Sequence, residues 1–227
     1  MIGLRRRKLG LLGDRQSVRT AWQCISLLLS YPDDDLRASL LAVRESCRRL
    51  PESYGAPLVR LTDWITGDPD ADIRYVETFD NTRKCSLYLT YFTCGDTRKR
   101  GVALVRLKQT YRAAGVEVSE DELPDHLSVL LEFGATVDAD GAFKLLVDNR
   151  PGIEMLRLAL EQRKSPWADA LIALCATLPE LDGNGADAVR RLIAEGPPAE
   201  EVGLEPYGTD PQLSSYHPDD ALVGGRL

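Results

Sequence analysis

The stretch "VALVRLKQTYRAAG", residues 102–115, decides the fold class. Its apolar residues recur at intervals of three and four, with cations between them, and Gly115 stands where a helix would end. These apolar residues are Val102, Leu104, Val105, Leu107 and Tyr111. Such spacing collects apolar side chains on one side of an α-helix, and glycine is common just after the last helical turn. The stretch therefore predicts an amphipathic helix with a broad apolar face.

Segments with helical spacing also lie on both sides of this stretch. A first helix is predicted from Ser17, which can serve as its N-cap, and a second from about Asp33. Downstream, "PDHLSVLLEFGATV", "GIEMLRLALEQRK" and "SPWADALIALCATL" show the same period, whereas alternating strand patterns are nearly absent. The sequence predicts an all-α fold, a single compact domain of about eight to ten helices over residues 17–195.

The two ends of the chain differ in composition from the middle. Residues 1–16 are basic and predict a flexible arm, while residues 196–227 are acidic and rich in proline and glycine, which predicts a disordered tail. The N-terminal apolar run is too short for an export signal. No stretch approaches the roughly 18 apolar residues that span a bilayer. We therefore predict a cytoplasmic protein with no stable membrane insertion.

Charge and cysteine content narrow the function classes. The formal net charge is -7 and the pI is about 5.0, which disfavours a general nucleic-acid binder. Five cysteines are scattered without a CxxC pair, and an odd number cannot all pair within one chain, so reduced thiols are expected. The chain has only two histidines, too few for a histidine-rich metal site. Neither a metal site nor a bound cofactor is predicted.

The dipeptide Asp125-His126 raises the hypothesis of a helical enzyme, because a carboxylate can orient an imidazole that acts as a general base. Adjacent residues on a helix point about 100° apart, however, and seldom bond each other. The alternative is structural: Asp125 accepts amide hydrogen bonds in a first helical turn, and His126 packs against a neighbouring helix. No nucleophile or cofactor motif accompanies the pair.

The stretch "SLYLTYFTCGDTRKRG", residues 86–101, joins aromatic residues to a basic helix start. Asp96 is a suitable N-cap, but three cations follow it in the first turn, where the helix dipole disfavours positive charge. Either nearby carboxylates compensate for them, or an acidic partner is attracted to them. The "TRKR" patch also leaves open a helical nucleic-acid binder, which the acidic total disfavours.

Residues 75–135 carry a resemblance to a known family. "YVETF", "CSLYLTYFTCGDTRKRG" and "ELPDHL" resemble the central signature of the NarJ-type assembly chaperones of respiratory nitrate reductase, within the wider TorD/DmsD/NarJ group. Cys85 and Cys94 stand at positions that vary in this pattern. The helix order from residue 17 to about residue 195 is also compatible with that family.

The resemblance implies a cytoplasmic chaperone that is not an enzyme and not part of the final complex. Such proteins hold the catalytic (alpha) subunit of membrane-bound nitrate reductase through its N-terminal segment until the molybdenum cofactor is inserted. Cofactor delivery proteins are further candidate partners, and nucleic acid is not. A helix laid in a groove is the expected binding mode. The predicted partner-binding residues are Tyr75, Phe79, Tyr88, Tyr91, Phe92, Arg98, Lys99, Arg100, Asp125, His126 and Leu127.

Overall fold

The computed structural model describes residues 14–95, 97–119 and 122–198. Within these ranges all regular secondary structure is helical, with eleven α-helices, one π-helix and one short 3₁₀ helix. The predicted all-α fold is confirmed. Two α-helices of five and six residues contribute to a count slightly above the predicted one.

The helices succeed one another with short connections. The first six are α1 (Arg15–Leu28), α2 (Asp34–Cys47), α3 (Glu52–Gly67), α4 (Ala71–Tyr75), α5 (Leu89–Cys94) and α6 (Arg98–Ala113). The remaining five are α7 (Leu127–Thr136), α8 (Ala139–Asp148), α9 (Arg150–Gln162), α10 (Ala168–Ala176) and α11 (Gly183–Glu195). The π-helix covers Val76–Asp80, and the 3₁₀ helix covers Arg83–Cys85.

Helix α1 lies at the centre of the core. It packs along α7 and also contacts α2, α3 and α10. The indole Nε1 of Trp22 donates to Oγ1 of Thr177 at 2.9 Å, so this buried polar atom is satisfied. The ring also lies against Gly134 of α7, where an added Cβ would come within 2.7 Å of it. Glycine at this position lets the two helices approach closely.

Helix α1 begins earlier than the sequence predicted. Asp14, and not Ser17, is its N-cap, and the Asp14 carboxylate accepts hydrogen bonds from both N and Oγ of Ser17. These bonds lower the pKa of Asp14, because they stabilise the ionised form. A charged carboxylate at the positive end of the helix dipole makes the stronger cap, which explains the shifted start.

Helix α8 was not predicted from the sequence. Asp138 caps it by accepting from the backbone N of Asp140 and Gly141, and Ala142, Phe143 and Leu146 are buried along its inner face. The cap and the apolar spacing are both visible in the sequence. Its ten residues carry the helical period over fewer than three turns, which makes the signal weak.

A cluster of aromatic rings surrounds the π-helix. Tyr75 and Phe79 both contact Trp167, with ring centroids 5.7 and 5.4 Å away, and Tyr31 meets Tyr75 edge-on. The Tyr75 hydroxyl donates to the carbonyl of Leu29 at 2.9 Å, and burial raises the pKa of this phenol. The two aromatic residues of "YVETF" are thus part of the core, and one hydrogen bond ties Tyr75 to the residue just after α1.

Helix α6 buries only some of the apolar residues that were predicted to share one face. Leu107 and Tyr111 are buried, but Val102 and Val105 are 56% and 54% exposed. The single broad face is therefore wrong: the buried pair and the two valines lie on opposite sides. About 100° per residue separates positions 105 and 107 by roughly 200°. Gly115 stands just beyond the helix end, as predicted.

The basic arm and the acidic tail were predicted at the two ends of the chain. Residues 1–13 and 199–227, which include most of the predicted arm and tail, lie outside the described residues, so the division at 17 and 195 stays a prediction. In the described ranges, every helix falls short of the length and apolar character that crossing a bilayer requires.

Candidate functional site

The two motifs "SLYLTY" and "LPDHL" lie side by side and pair over a few residues in antiparallel directions. The backbone N of Leu89 donates to the carbonyl of Asp125 at 3.0 Å, and the backbone N of Leu127 donates to that of Leu87 at 2.9 Å. Between these bonds, Tyr88 and His126 pair as an isolated antiparallel bridge. We call residues 87–89 with residues 125–127 the crossing. It joins two segments that are far apart in the sequence.

The carboxylate of Asp125 is fully buried beneath the crossing. Its Oδ2 accepts hydrogen bonds from the backbone N of Thr90, at 3.3 Å, and from the Thr90 hydroxyl, so it caps the first turn of α5 from a distant segment. Nη2 of Arg100 lies 3.7 Å from the same oxygen. A buried charge is costly unless it is paired and hydrogen-bonded. Thr90 and Arg100 compensate Oδ2, whereas the buried Oδ1 accepts no hydrogen bond. Asp125 therefore links α5 and α6.

The imidazole of His126 packs edge-on against the ring of Tyr88, with the centroids 5.3 Å apart. Burial lowers the pKa of His126, and the nearby Asp125 carboxylate opposes this only in part. The neutral ring is therefore favoured at pH 7. An uncharged imidazole on an aromatic edge serves packing.

Arg100 completes a cluster around Tyr88. Its guanidinium carbon lies 5.5 Å from the centre of the Tyr88 ring, within the range of a cation–π contact. Tyr88 itself remains 37% exposed. We call Tyr88, Arg100, Asp125 and His126 the Tyr88 cluster. It presents an aromatic ring to solvent, with a cation on one side and a second ring on another.

The enzyme hypothesis required Asp125 to orient His126. In the structure the Asp125 carboxylate accepts from Thr90, whereas the His126 ring packs on Tyr88. The two side chains thus have different partners, which agrees with the structural alternative. The amides that Asp125 satisfies belong to α5, however, and not to the helix that begins just after it.

The remaining predicted residues fall into a surface set and a core set. Arg98 and Lys99 are exposed, and Tyr91 is partly buried. The core set is Tyr75, Phe79, Phe92 and Leu127. Tyr75 and Phe79 pack around Trp167, away from the surface, and Leu127 is part of the crossing. Phe92 lines the groove described next. The predicted cap Asp96 lies outside the described residues, and the N-cap position of α6 is Thr97.

A groove beside Tyr91 was missed by the sequence analysis. It has a volume of about 450 Å³ and lies between α5, α9 and α11. Tyr91 and Phe92 line one wall, and Met155, Leu158 and Ile193 line others. Tyr91 in its wall lies one turn after Tyr88, and its backbone N donates to the carbonyl of Tyr88 at 3.1 Å. The apolar residues of "GIEMLRLAL" and "RRLIAEG" were its only sequence signal.

No part of the chain that the structure describes brings together three or more metal-ligating side chains of His, Cys, Asp or Glu. All five cysteines are present as free thiols. Burial raises the pKa of Cys85, which makes this thiol a poor nucleophile at neutral pH. The crossing and its surroundings offer aromatic rings, a cation and apolar surface.

Comparisons with known proteins place the crossing in a family. A family model described as "Nitrate reductase delta subunit" matches residues 47–173, which is more than half of the chain. The chain belongs to the nitrate reductase delta subunit family. The matched range includes both motifs of the crossing and helix α6.

Two curated relatives in this family have names that state a role. The chain is 34% identical over 175 residues to the "Probable nitrate reductase molybdenum cofactor assembly chaperone NarJ" of Bacillus subtilis, covering 74% of this chain and 91% of that protein. It is 35% identical over 166 residues to the "Nitrate reductase molybdenum cofactor assembly chaperone NarJ" of Escherichia coli K12, covering 70% of each.

A third relative is much longer. The chain is 40% identical over 159 residues to the "Nitrate reductase-like protein NarX" of Mycobacterium tuberculosis H37Rv. The match covers 69% of this chain but spans only 24% of that protein. A region similar to most of this chain is thus also found as one portion of a larger polypeptide.

Proposed function

We propose that this protein is a cytoplasmic assembly chaperone for a respiratory nitrate reductase. It binds the immature catalytic subunit through that subunit's N-terminal segment and holds it competent for molybdenum cofactor insertion and membrane assembly. It then leaves, and is neither an enzyme nor part of the final complex. Two relatives named as assembly chaperones support this role, since each matches 70% or more of the chain.

The Tyr88 cluster is the observation that carries the proposal. An exposed aromatic ring held between a cation and a second ring resembles the rigid anchors at the centre of protein interfaces. The ring costs little entropy to order, because the crossing already fixes its backbone through two hydrogen bonds. The cluster is therefore pre-organised for a partner.

The groove beside Tyr91 supplies the apolar surface that a partner helix needs. An amphipathic helix binds by inserting side chains at intervals of three and four into such a groove. Tyr88 would anchor one turn of that helix, and the groove would receive the next. Arg98 and Lys99 are exposed at the start of α6 and would contact polar or acidic groups at the rim.

Calorimetric titration with a peptide from the N-terminus of the catalytic subunit tests the proposal. We expect saturable binding, and Tyr88→Ala should weaken it by roughly tenfold or more, as loss of a hot-spot residue does. The double variant Arg98→Ala/Lys99→Ala should weaken it less. The matched control is Arg48→Ala/Arg49→Ala, which removes two exposed cations from the end of α2 and should leave binding unchanged.

Two results would count against this assignment. Absence of saturable heat with the unmodified protein would remove the proposed partner. Normal binding by the Tyr88→Ala variant would move the site elsewhere. Circular dichroism of each variant shows whether the fold is retained, because Tyr88 is exposed and its removal should not unfold the chain.

Delivery proteins for the molybdenum cofactor are the second class of partner in this proposal. A chaperone that holds the immature subunit has to be present when the cofactor arrives. Co-purification from nitrate-respiring cells, with and without the catalytic subunit, tests this. The delivery proteins should be recovered only when the subunit is present, because the subunit bridges the two.

A further inference from the structure

Helix α6 is strongly basic within an acidic protein. It contains six cations and no acidic residue, whereas the whole chain has a net charge of -7. The cations are Arg98, Lys99, Arg100, Arg106, Lys108 and Arg112. Arg100 and Arg112 lie 3.7 Å from the carboxylates of Asp125 and Glu117, so part of this charge is already compensated. Lys108 and Arg112 are like charges four residues apart, which destabilises a helix. An acidic segment lying along this helix would be attracted to Arg106 and Lys108.

The exposed side of α6 is also apolar at its centre. At about 100° per residue, Arg98, Val102 and Val105 fall within roughly 60° of one another. Both valines are more than half exposed, whereas Leu107 and Tyr111 on the opposite side are buried. Arg106 and Lys108 flank the valines. We call this side the outer face of α6: two adjacent apolar residues framed by cations.

The chain after α11 arrives at the start of this helix. Gly95 has a φ of 59°, and a Cβ added to it would lie 1.6 Å from the carbonyl oxygen of Pro198. Only glycine permits both the positive φ and this close contact. Pro198 is thus packed against the turn that precedes α6, and residues 199–227 continue from that point.

The composition of residues 199–227 complements the outer face. They contain six acidic residues and one arginine, together with apolar residues placed between the first acids. The acids are Glu200, Glu201, Glu205, Asp210, Asp219 and Asp220. Sixteen residues of helix span about 24 Å, which about eight extended residues cover at 3.3 Å each. Glu200 and Glu201 therefore reach the first two turns of α6, and Glu205 reaches its last turn.

We propose that residues 199–227 dock on the outer face of α6 in the same molecule. Glu200, Glu201 and Glu205 pair with the flanking cations, and Val202 and Leu204 cover the two exposed valines. Tethering at Pro198 favours this occupant over a second copy, since a short tether gives an effective concentration in the millimolar range. Free copies of a protein with net charge -7 also repel one another.

Docking would have a consequence for the chaperone. Arg98 and Lys99 belong both to the outer face and to the proposed partner-binding surface, so the docked segment and the partner would compete for them. This consequence alone rests on the proposed function. The docking itself rests on the charges of α6, its exposed valines and the contact between Gly95 and Pro198.

Amide hydrogen exchange of the full chain tests the docking. We expect the amides of α6 to exchange roughly tenfold more slowly in the full chain than in a chain that ends after Pro198. The triple variant Glu200→Gln/Glu201→Gln/Glu205→Gln should exchange like the shortened chain. The matched control Asp210→Asn/Asp219→Asn/Asp220→Asn removes three more distant charges and should retain the slow exchange. The amides of α1 provide an internal reference.

Equal exchange of α6 in the full and shortened chains would overturn the inference. Slow exchange that depends on protein concentration would also overturn it, because it would identify a second copy as the occupant. The outcome is independent of the peptide titration: failure of peptide binding removes the proposed function and leaves the exchange result unaffected.

Discussion

Helices α1 and α6 have similar lengths and were both predicted as amphipathic, yet they occupy opposite environments. Helix α1 is enclosed by α2, α3, α7 and α10, whereas α6 is held to the core by Leu107 and Tyr111 and exposes two valines. Periodicity indicates which side of a helix is apolar. It does not indicate whether another element covers that side. The proposed docking of residues 199–227 and the rim contacts that Arg98 and Lys99 would make with a partner both fall on the less covered helix.

The largest expected difference between the two helices comes from Trp22. Replacing this fully buried residue with alanine should lower the free energy of unfolding by about 3–5 kcal/mol, because it leaves a cavity and removes the hydrogen bond that the indole donates to Thr177. Urea unfolding followed by far-UV circular dichroism measures it. The control on α6 is Val105→Ala, which should cost less than about 0.5 kcal/mol. Similar losses for both variants would contradict the contrast.

A pair of glycines sharpens the comparison at the level of the backbone. In Gly134→Ala the new Cβ would lie within 2.8 Å of Ala142 and Trp22, so we expect a loss of about 1–3 kcal/mol from overpacking. In α6, a Cβ at Gly101 meets nothing within 4 Å. Gly101→Ala should therefore stabilise the protein by about 0.5–1 kcal/mol. Thermal unfolding of the two variants should show shifts of opposite sign.

The smallest effect concerns the crossing, which lies between the core and α6. Because burial lowers the pKa of His126, the folded protein favours the neutral ring, and unfolding takes up a proton. Stability should decrease as the pH falls from about 6.5 towards the folded pKa, and the decrease should stop below it. His126→Gln should lose part of this pH dependence. Urea unfolding at pH 7.5 and 5.5 gives the change in the free energy of unfolding for the variant and for the unmodified protein. An equal change in both proteins would exclude a contribution from His126.

The sequence predicted the helices well where the apolar period was long. Asp14 shows the limit at a helix end: three residues upstream of Ser17, it forms a stronger cap than the hydroxyl could. Helix α8 shows the limit for short helices, since its ten residues offer few repeats of the period. In both cases the residues that form the structure are visible in the sequence. For α1, however, two residues could serve as the cap, and for α8 the period is too short to indicate a helix.

The candidate site was predictable in its parts and not in its assembly. Tyr88 and His126 were both named from sequence, but nothing periodic indicates that residues 87–89 pair with residues 125–127. Asp125 was expected to cap its own helix, whereas it caps α5 and pairs with Arg100. Contacts of this kind depend on how distant segments are brought together. The groove beside Tyr91 was missed for the same reason.

The π-helix at Val76–Asp80 gives this segment tolerance to a change of length. A π-turn accommodates one more residue than an α-turn, so the extra residue is absorbed locally and the residues on either side stay nearly in phase. Deleting one residue from this turn would restore an α-turn and leave the downstream residues facing almost the same way. Inserting one residue into a regular helix such as α1, by contrast, rotates everything downstream by about 100°. Loss of one residue between Tyr75 and Phe79 should therefore disturb the rings around Trp167 less than an insertion in α1 disturbs the core.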